Sequence, residues 1–162
     1  MRMIYLIFGI LVVILVFSGC GFRYFDPQYY EFKGLAEKES GFYVVEPEFF
    51  DEIQQENFKH SRKLSNGYSI KSKEATYIGK INSRIHEFHY YMMYFMDSSN
   101  KKHIISYYRV FRYKEHGLWL DGDEGRGFHW DTTQNIDHTS WDNVFYYDKE
   151  TKIFIKKDKN DK

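Results

Sequence analysis

The chain reads as an α+β domain, with one N-terminal helix packed on an antiparallel sheet of about five to seven strands. Three observations lead there. A segment led by Pro47 carries helix-start chemistry followed by an apolar stripe. From residue 67 onward, short β-prone runs rich in aromatics follow one another, separated by turn clusters. Aromatic residues make up 20% of the chain, enough large side chains to fill a core without cross-links.

Taken in order, residues 21–30 hold one proline, several aromatics and no clear period, and read as a short tether expected to dock at its far end. Glu46-Pro47-Glu48 opens the helix. Proline suits the first helical position, where its missing N–H would find no partner anyway. Glu46, Glu48, Asp51 and Glu52 set negative charge at the positive end of the helix dipole. Phe49, Phe50 and Ile53 form the apolar stripe, and the helix is expected to run to about Lys59. Leu64-Ser65-Asn66-Gly67 ends it.

Strands are expected at residues 68–71 and 75–81. Residues 85–96 are apolar on both alternating sets, as in a central strand buried on both faces. Asp97-Ser98-Ser99-Asn100 is a turn, and residues 104–114 return. In that strand the set Tyr108, Val110, Arg112 and Lys114 carries more charge and is expected to face water. Residues 117–120 read as a separate short strand ending at Asp121-Gly122. Residues 125–140 are the one long irregular stretch, the kind of loop that carries binding roles. The last hairpin is the cleanest: residues 143–147 and 152–156 flank the four-residue turn Asp148-Lys149-Glu150-Thr151.

The amino-terminal end carries an address. Met1 and Arg2 precede an apolar run over residues 3–17, the small pair Ser18-Gly19, and Cys20, the chain's one cysteine. A charged start, an apolar stretch and small residues form the layout of a secretory signal. Leu15-Val16-Phe17-Ser18-Gly19-Cys20 resembles the lipobox of bacterial lipoproteins, with Phe17 where Leu, Val or Ile is usual. The resemblance covers about twenty residues. It implies removal of residues 1–19, a lipidated Cys20 at the new amino terminus and an extracytoplasmic, membrane-held protein. Gly21 after the cysteine would permit transfer to the periplasmic face of the outer membrane in a two-membrane cell. The domain plan is then a signal over 1–19, a tether over 20–30, a globular domain over 31–157 and a frayed polar tail over 158–162. An uncleaved single-pass anchor is the alternative, because residues 3–22 carry no charge and about 20 apolar residues suffice for a spanning helix.

With 23 basic against 23 acidic residues, the chain has no basic bias, which argues against nucleic acid. A lipidated Cys20 would leave no thiol for a disulfide in a compartment that permits one. The core must then rest on packing, and this weights the aromatics toward a structural role. The mature part resembles no family.

Trp119, Phe128, His129, Trp130, Asp131 and Trp141 cluster late in the chain beside Asp121 and Asp123. Aromatic faces with neighbouring carboxylates suit contact with an envelope protein or with the sugar rings of peptidoglycan. The bland reading of these rings as core is favoured. Asp121, Asp123 and Glu124 are hard oxygen ligands of the kind calcium takes, but Thr132 stands where an EF-hand needs glutamate. An exposed turn is the simpler reading, and no cofactor is expected. His86 and His89 would fall on opposite faces of a strand and make no metal pair. No nucleophile motif or phosphate loop is present. The expectation is a non-catalytic envelope lipoprotein, an assembly factor or an inhibitor or immunity protein. A cell-wall hydrolase using His129 and Asp131 is the alternative.

Overall fold

A computed structural model describes residues 2–17, 23–55, 63–123, 125 and 127–157. Its elements are α1 (Arg2–Phe17), a 3-10 turn (Arg23–Phe25), α2 (Pro27–Glu39), β1 (Gly41–Val44), α3 (Pro47–Gln54), β2 (Lys71–Lys80), β3 (Ile85–Met96), β4 (Lys102–Asp123), β5 (Gly127–His138), β6 (Val144–Asp148) and β7 (Ile153–Lys157). The fold is α+β. The strands form one sheet in the order β2-β3-β4-β1-β6-β7, with β5 pairing β4 off this path.

Two parts of the fold expectation are corrected. The sheet is mixed, because β1 and β6 run parallel, with Tyr43 opposite Phe145, while every other pairing is antiparallel. There is more than one helix. Residues 23–30, expected as part of a tether, are folded: Asp26 caps α2 by accepting from the Gln28 amide at 2.9 Å, and Pro27 takes the first helical turn. Tyr113 Oη donates to Asp26 at 2.5 Å, and Arg84 pairs with the same carboxylate. Phe32 and Ala36 of α2 then meet Ile85, Phe111 and Tyr113 in a buried cluster flanked by Tyr29 and Leu35.

The Pro47 helix forms as expected at its start, and Phe49, Phe50 and Ile53 pack on a second cluster of Leu64, Phe95 and Ile105. It ends at Gln54; residues 56–62, which hold its expected extension toward Lys59, lie outside the described residues. Between α2 and β1 the chain turns on a buried polar joint. Asn143 Nδ2 donates to the carbonyls of Glu37 at 3.0 Å and Ser40 at 2.9 Å. The backbone of Gly41, at φ 150°, lies so close that a Cβ there would sit 2.5 Å from the Asn143 carbonyl oxygen.

The expected short strand at 117–120 is the far half of β4, a strand of 22 residues, and the expected loop at 125–140 is mostly β5. Of the set expected to face water, Lys114 is exposed and Arg112 half-buried, but Val110 is buried. The final hairpin forms with Asp148 opposite Ile153. Helix α1 is apolar after Arg2, and its large side chains from Met3 to Val13 are exposed. No helix among the described residues is long and apolar enough to cross a membrane. Cys20 and the tail over 158–162 lie outside the described residues.

Candidate functional site

Strand β4 outruns the body. Its pairing with β1 ends at Arg109 and with β3 at Tyr113, the Lys114 amide still donating to the Arg84 carbonyl at 2.8 Å, so from Glu115 to Asp123 β5 is the one strand that flanks it. The outcome is a two-stranded arm. Its register pairs Trp119 with Asp131, Leu120 with Trp130, Asp121 with His129 and Gly122 with Phe128, beyond an irregularity between His116 and Trp119 that interrupts the ladder. Because successive strand residues point to opposite faces, this register sorts the arm into two surfaces. One carries Leu120, Phe128 and Trp130, exposed by 56%, 83% and 57%. The Phe128 ring lies over Gly122, where a Cβ would come within 2.5 Å of it.

The other surface is polar. Asp121, His129 and Asp131 each offer one ligand atom, and these atoms lie within 4.8 Å of one another. His129 Nε2 stands 3.5 Å from Asp131 Oδ2. Asp121 Oδ1 accepts the Gly122 amide at 2.9 Å. Trp119 folds back, its indole against Gly117. The calcium ligand set read from sequence is thus regrouped: Asp121 is a strand residue beside His129 and Asp131, the side chain of Asp123 is outside the description, and Glu124 lies outside the described residues.

A second surface lies on the body. A cleft of about 520 Å³ is lined by Phe42, Phe50, Tyr91, Met93 and Tyr108, with Gln54, Ser72, Lys73 and Glu74 as polar lining. The rings of Phe42 and Tyr108 sit 4.7 Å apart, and Phe42 and Phe50 5.3 Å. Tyr91 reaches the cleft from an irregularity in the β3–β4 ladder and holds φ 48°, a left-handed backbone uncommon for a bulky residue. Trp141, 65% exposed, packs on Tyr108 at 5.1 Å. It therefore belongs with the body cleft and not with the arm.

A third, half-buried group lies at the C-terminal end of α2. Arg109 grips Glu87 with two bonds, Nε to Oε1 at 2.9 Å and Nη2 to Oε2 at 3.1 Å, and reaches Glu39 at 2.8 Å. His89 Nε2 lies 3.1 Å from Glu87 Oε1, and the His89 ring stacks on Tyr107 at 3.8 Å. The hydrogen bond from His89, with those of Arg109, outweighs burial and lowers the Glu87 pKa to about 2. Burial pushes the Tyr107 hydroxyl up to about 12. The stack continues through Tyr43 to Phe145, one ring from each of β3, β4, β1 and β6. Apart from His89 Nδ1, which is buried without a hydrogen-bond partner among the described residues, the acids and bases of this group are committed to one another, and the group is built to hold the sheet together. His86 Nδ1 lies 3.5 Å from Tyr77 Oη.

Of the residues singled out in the sequence, the structure joins Asp121, His129 and Asp131 on one face of the arm and Phe128 and Trp130 on the other. Tyr91, Phe42 and Tyr108 were missed, because neither a strand irregularity nor a cleft shows in periodicity. Compared with known protein families, curated proteins and solved structures, the chain finds no match. The functional argument rests on its own geometry.

Proposed function

We propose that this chain is a lipid-anchored protein of a bacterial envelope that acts by contact and performs no catalysis. The lipobox-like stretch ending at Cys20, after the exposed apolar α1, supports the anchor. Held by acyl chains that each contribute about 0.8 kcal/mol per buried methylene, the protein would stay on its membrane. In a two-membrane cell Gly21 directs the proposal to the periplasmic face of the outer membrane.

One observation carries the contact reading: Leu120, Phe128 and Trp130 stand together on one face of the arm, in water. Exposed large apolar groups gathered on one surface mark an interaction site, and Trp is among the residues that dominate interface energies. A protein partner fits this face better than a glycan does. It suits an assembly factor, or an inhibitor or immunity protein. The body cleft favours a second reading, with Tyr91 and Tyr108 stacking on the sugar rings of peptidoglycan beside Gln54 and Glu74.

Two measurements test this. Mass spectrometry of the protein from membranes should find a diacylated Cys20 as first residue; an intact Met1 chain with an unmodified thiol would remove the lipid anchor. A photo-crosslinker at position 128 should give one discrete adduct that disappears in the Leu120→Ser, Trp130→Ser double variant. Adducts unaffected by that variant count against the arm. Retention on purified peptidoglycan that is lost in Tyr91→Ala selects the glycan reading, and cell-wall turnover lost in His129→Ala would end the non-catalytic one.

A further inference from the structure

We infer that Asp121, His129 and Asp131 form a binding site for one divalent transition-metal ion of the zinc class, on the polar face of the arm. Three points carry it. The first is spacing. Zinc takes nitrogen and carboxylate ligands at about 2.0–2.2 Å, which sets neighbouring ligand atoms of a tetrahedral site about 3.4 Å apart. His129 Nε2 and Asp131 Oδ2 already stand 3.5 Å apart, and all three ligand atoms fall within 4.8 Å, so small side-chain rotations close the site. The second is chemistry. One imidazole with two carboxylates suits zinc-class ions, whereas calcium wants oxygen ligands throughout. The third is support. The ligands lie on paired strands, His129 directly opposite Asp121 and Asp131 two residues along on the same face, so the backbone ladder sets their spacing in advance.

Charge also favours an ion. Among the described residues, neither Asp121 nor Asp131 has a Lys or Arg ion pair; Asp131 meets only His129, and Asp121 accepts only its neighbour's amide. Two carboxylates beside one imidazole leave a net negative site for a cation to neutralise. Three protein ligands leave a fourth position open to water or to a donor group brought by a partner, as zinc sites with a vacant position do. This inference does not depend on the anchor or on the apolar face of the arm.

The full-length chain, stripped of metal, is titrated with zinc by calorimetry and with cobalt by visible absorption. The expected result is one equivalent bound, cobalt bands of four- or five-coordinate geometry, and at least tenfold weaker binding in both His129→Ala and Asp131→Asn. His116→Ala, on β4 with Asp121 but outside the group, should bind like the parent. Melting temperatures verify that the variants fold, and Asp121→Asn replaces any that does not. Absence of an equivalent at millimolar zinc, equal binding by the His129 and Asp131 variants, or displacement by equimolar calcium would each overturn the assignment.

Discussion

At the scale of single residues, Glu87 is the most committed acid of the body. Its side chain is 16% exposed, with Arg109 and His89 on its two oxygens. Because its pKa is lowered from 4.5 to about 2, folding gains stability that is fully present above pH 4.5. That stability is lost as the pH falls through about 2. We expect on the order of 2 kcal/mol to disappear across this window in denaturant titrations. Glu87→Gln should be less stable at neutral pH and should lack this part of the acid dependence. Tyr91 presents the opposite case, a ring kept on an unfavourable backbone. Left-handed backbone costs a non-glycine residue about 1 kcal/mol or more. Tyr91→Gly should therefore be more stable than Tyr91→Ala by about 1 kcal/mol, measured by chemical denaturation. A strained aromatic lining a cleft is a feature found where a surface has a task.

At the scale of elements, the joint between α2, β1 and β6 and the arm respond to mutation in opposite ways. Asn143→Ala removes one buried and one part-buried hydrogen bond and leaves the carbonyls of Ser40 and Glu37 without that donor. A loss of about 2–3 kcal/mol is expected by denaturation. Leu120→Ser with Trp130→Ser should change stability by less than about 1 kcal/mol, because both side chains are more than half exposed. Elements with a core beneath them were legible in advance. Strand β3 and the β6–β7 hairpin announce themselves by apolar residues at strand spacing, and the Pro47 helix by its charged first turn. Strand β5 did not, since Asp131, Thr132, Thr133, Gln134 and Asn135 form a polar ladder with no buried face to impose alternation. Helix α2 was hidden by scattered aromatics, and its cap, Asp26, was indistinguishable from any loop aspartate until Tyr113 and Arg84 arrived from distant strands. The Asp121–His129–Asp131 group was legible only in its composition. Its assembly depends on where the hairpin turns, and the sequence reading placed the turn on Asp121 itself.

For the whole molecule, the main path of the sheet ends in two outer strands, β2 and β7, and both carry lysines: Lys71, Lys73 and Lys80 on one, Lys156 and Lys157 on the other, whereas β5, which pairs only β4, leaves a third outer edge without lysine. Charged edges discourage strand-to-strand association between copies. The need is greatest at β7, where Ile153, Phe154 and Ile155 are exposed by 56%, 36% and 48%. Replacing Lys156 and Lys157 by threonine should convert the protein to larger species in light scattering, with the monomer's melting temperature little changed.

The length of β4 has a mechanical meaning. At about 3.3 Å per residue its 22 residues span up to roughly 70 Å, with an irregularity between His116 and Trp119. In the near half Ser106–Arg109 is gripped by β3 and β1 and Phe111–Tyr113 by β3 and β5, and the far half is the arm. A pull along the arm therefore loads the β3 and β1 hydrogen bonds in shear, all at once, instead of peeling them one after another. Just beyond the gripped part, buried Glu115 lies 3.8 Å from Arg23, which stands only three positions after Cys20. If Cys20 is the point of attachment, the Arg23–Glu115 contact sets the base of the arm close in sequence to its own mooring.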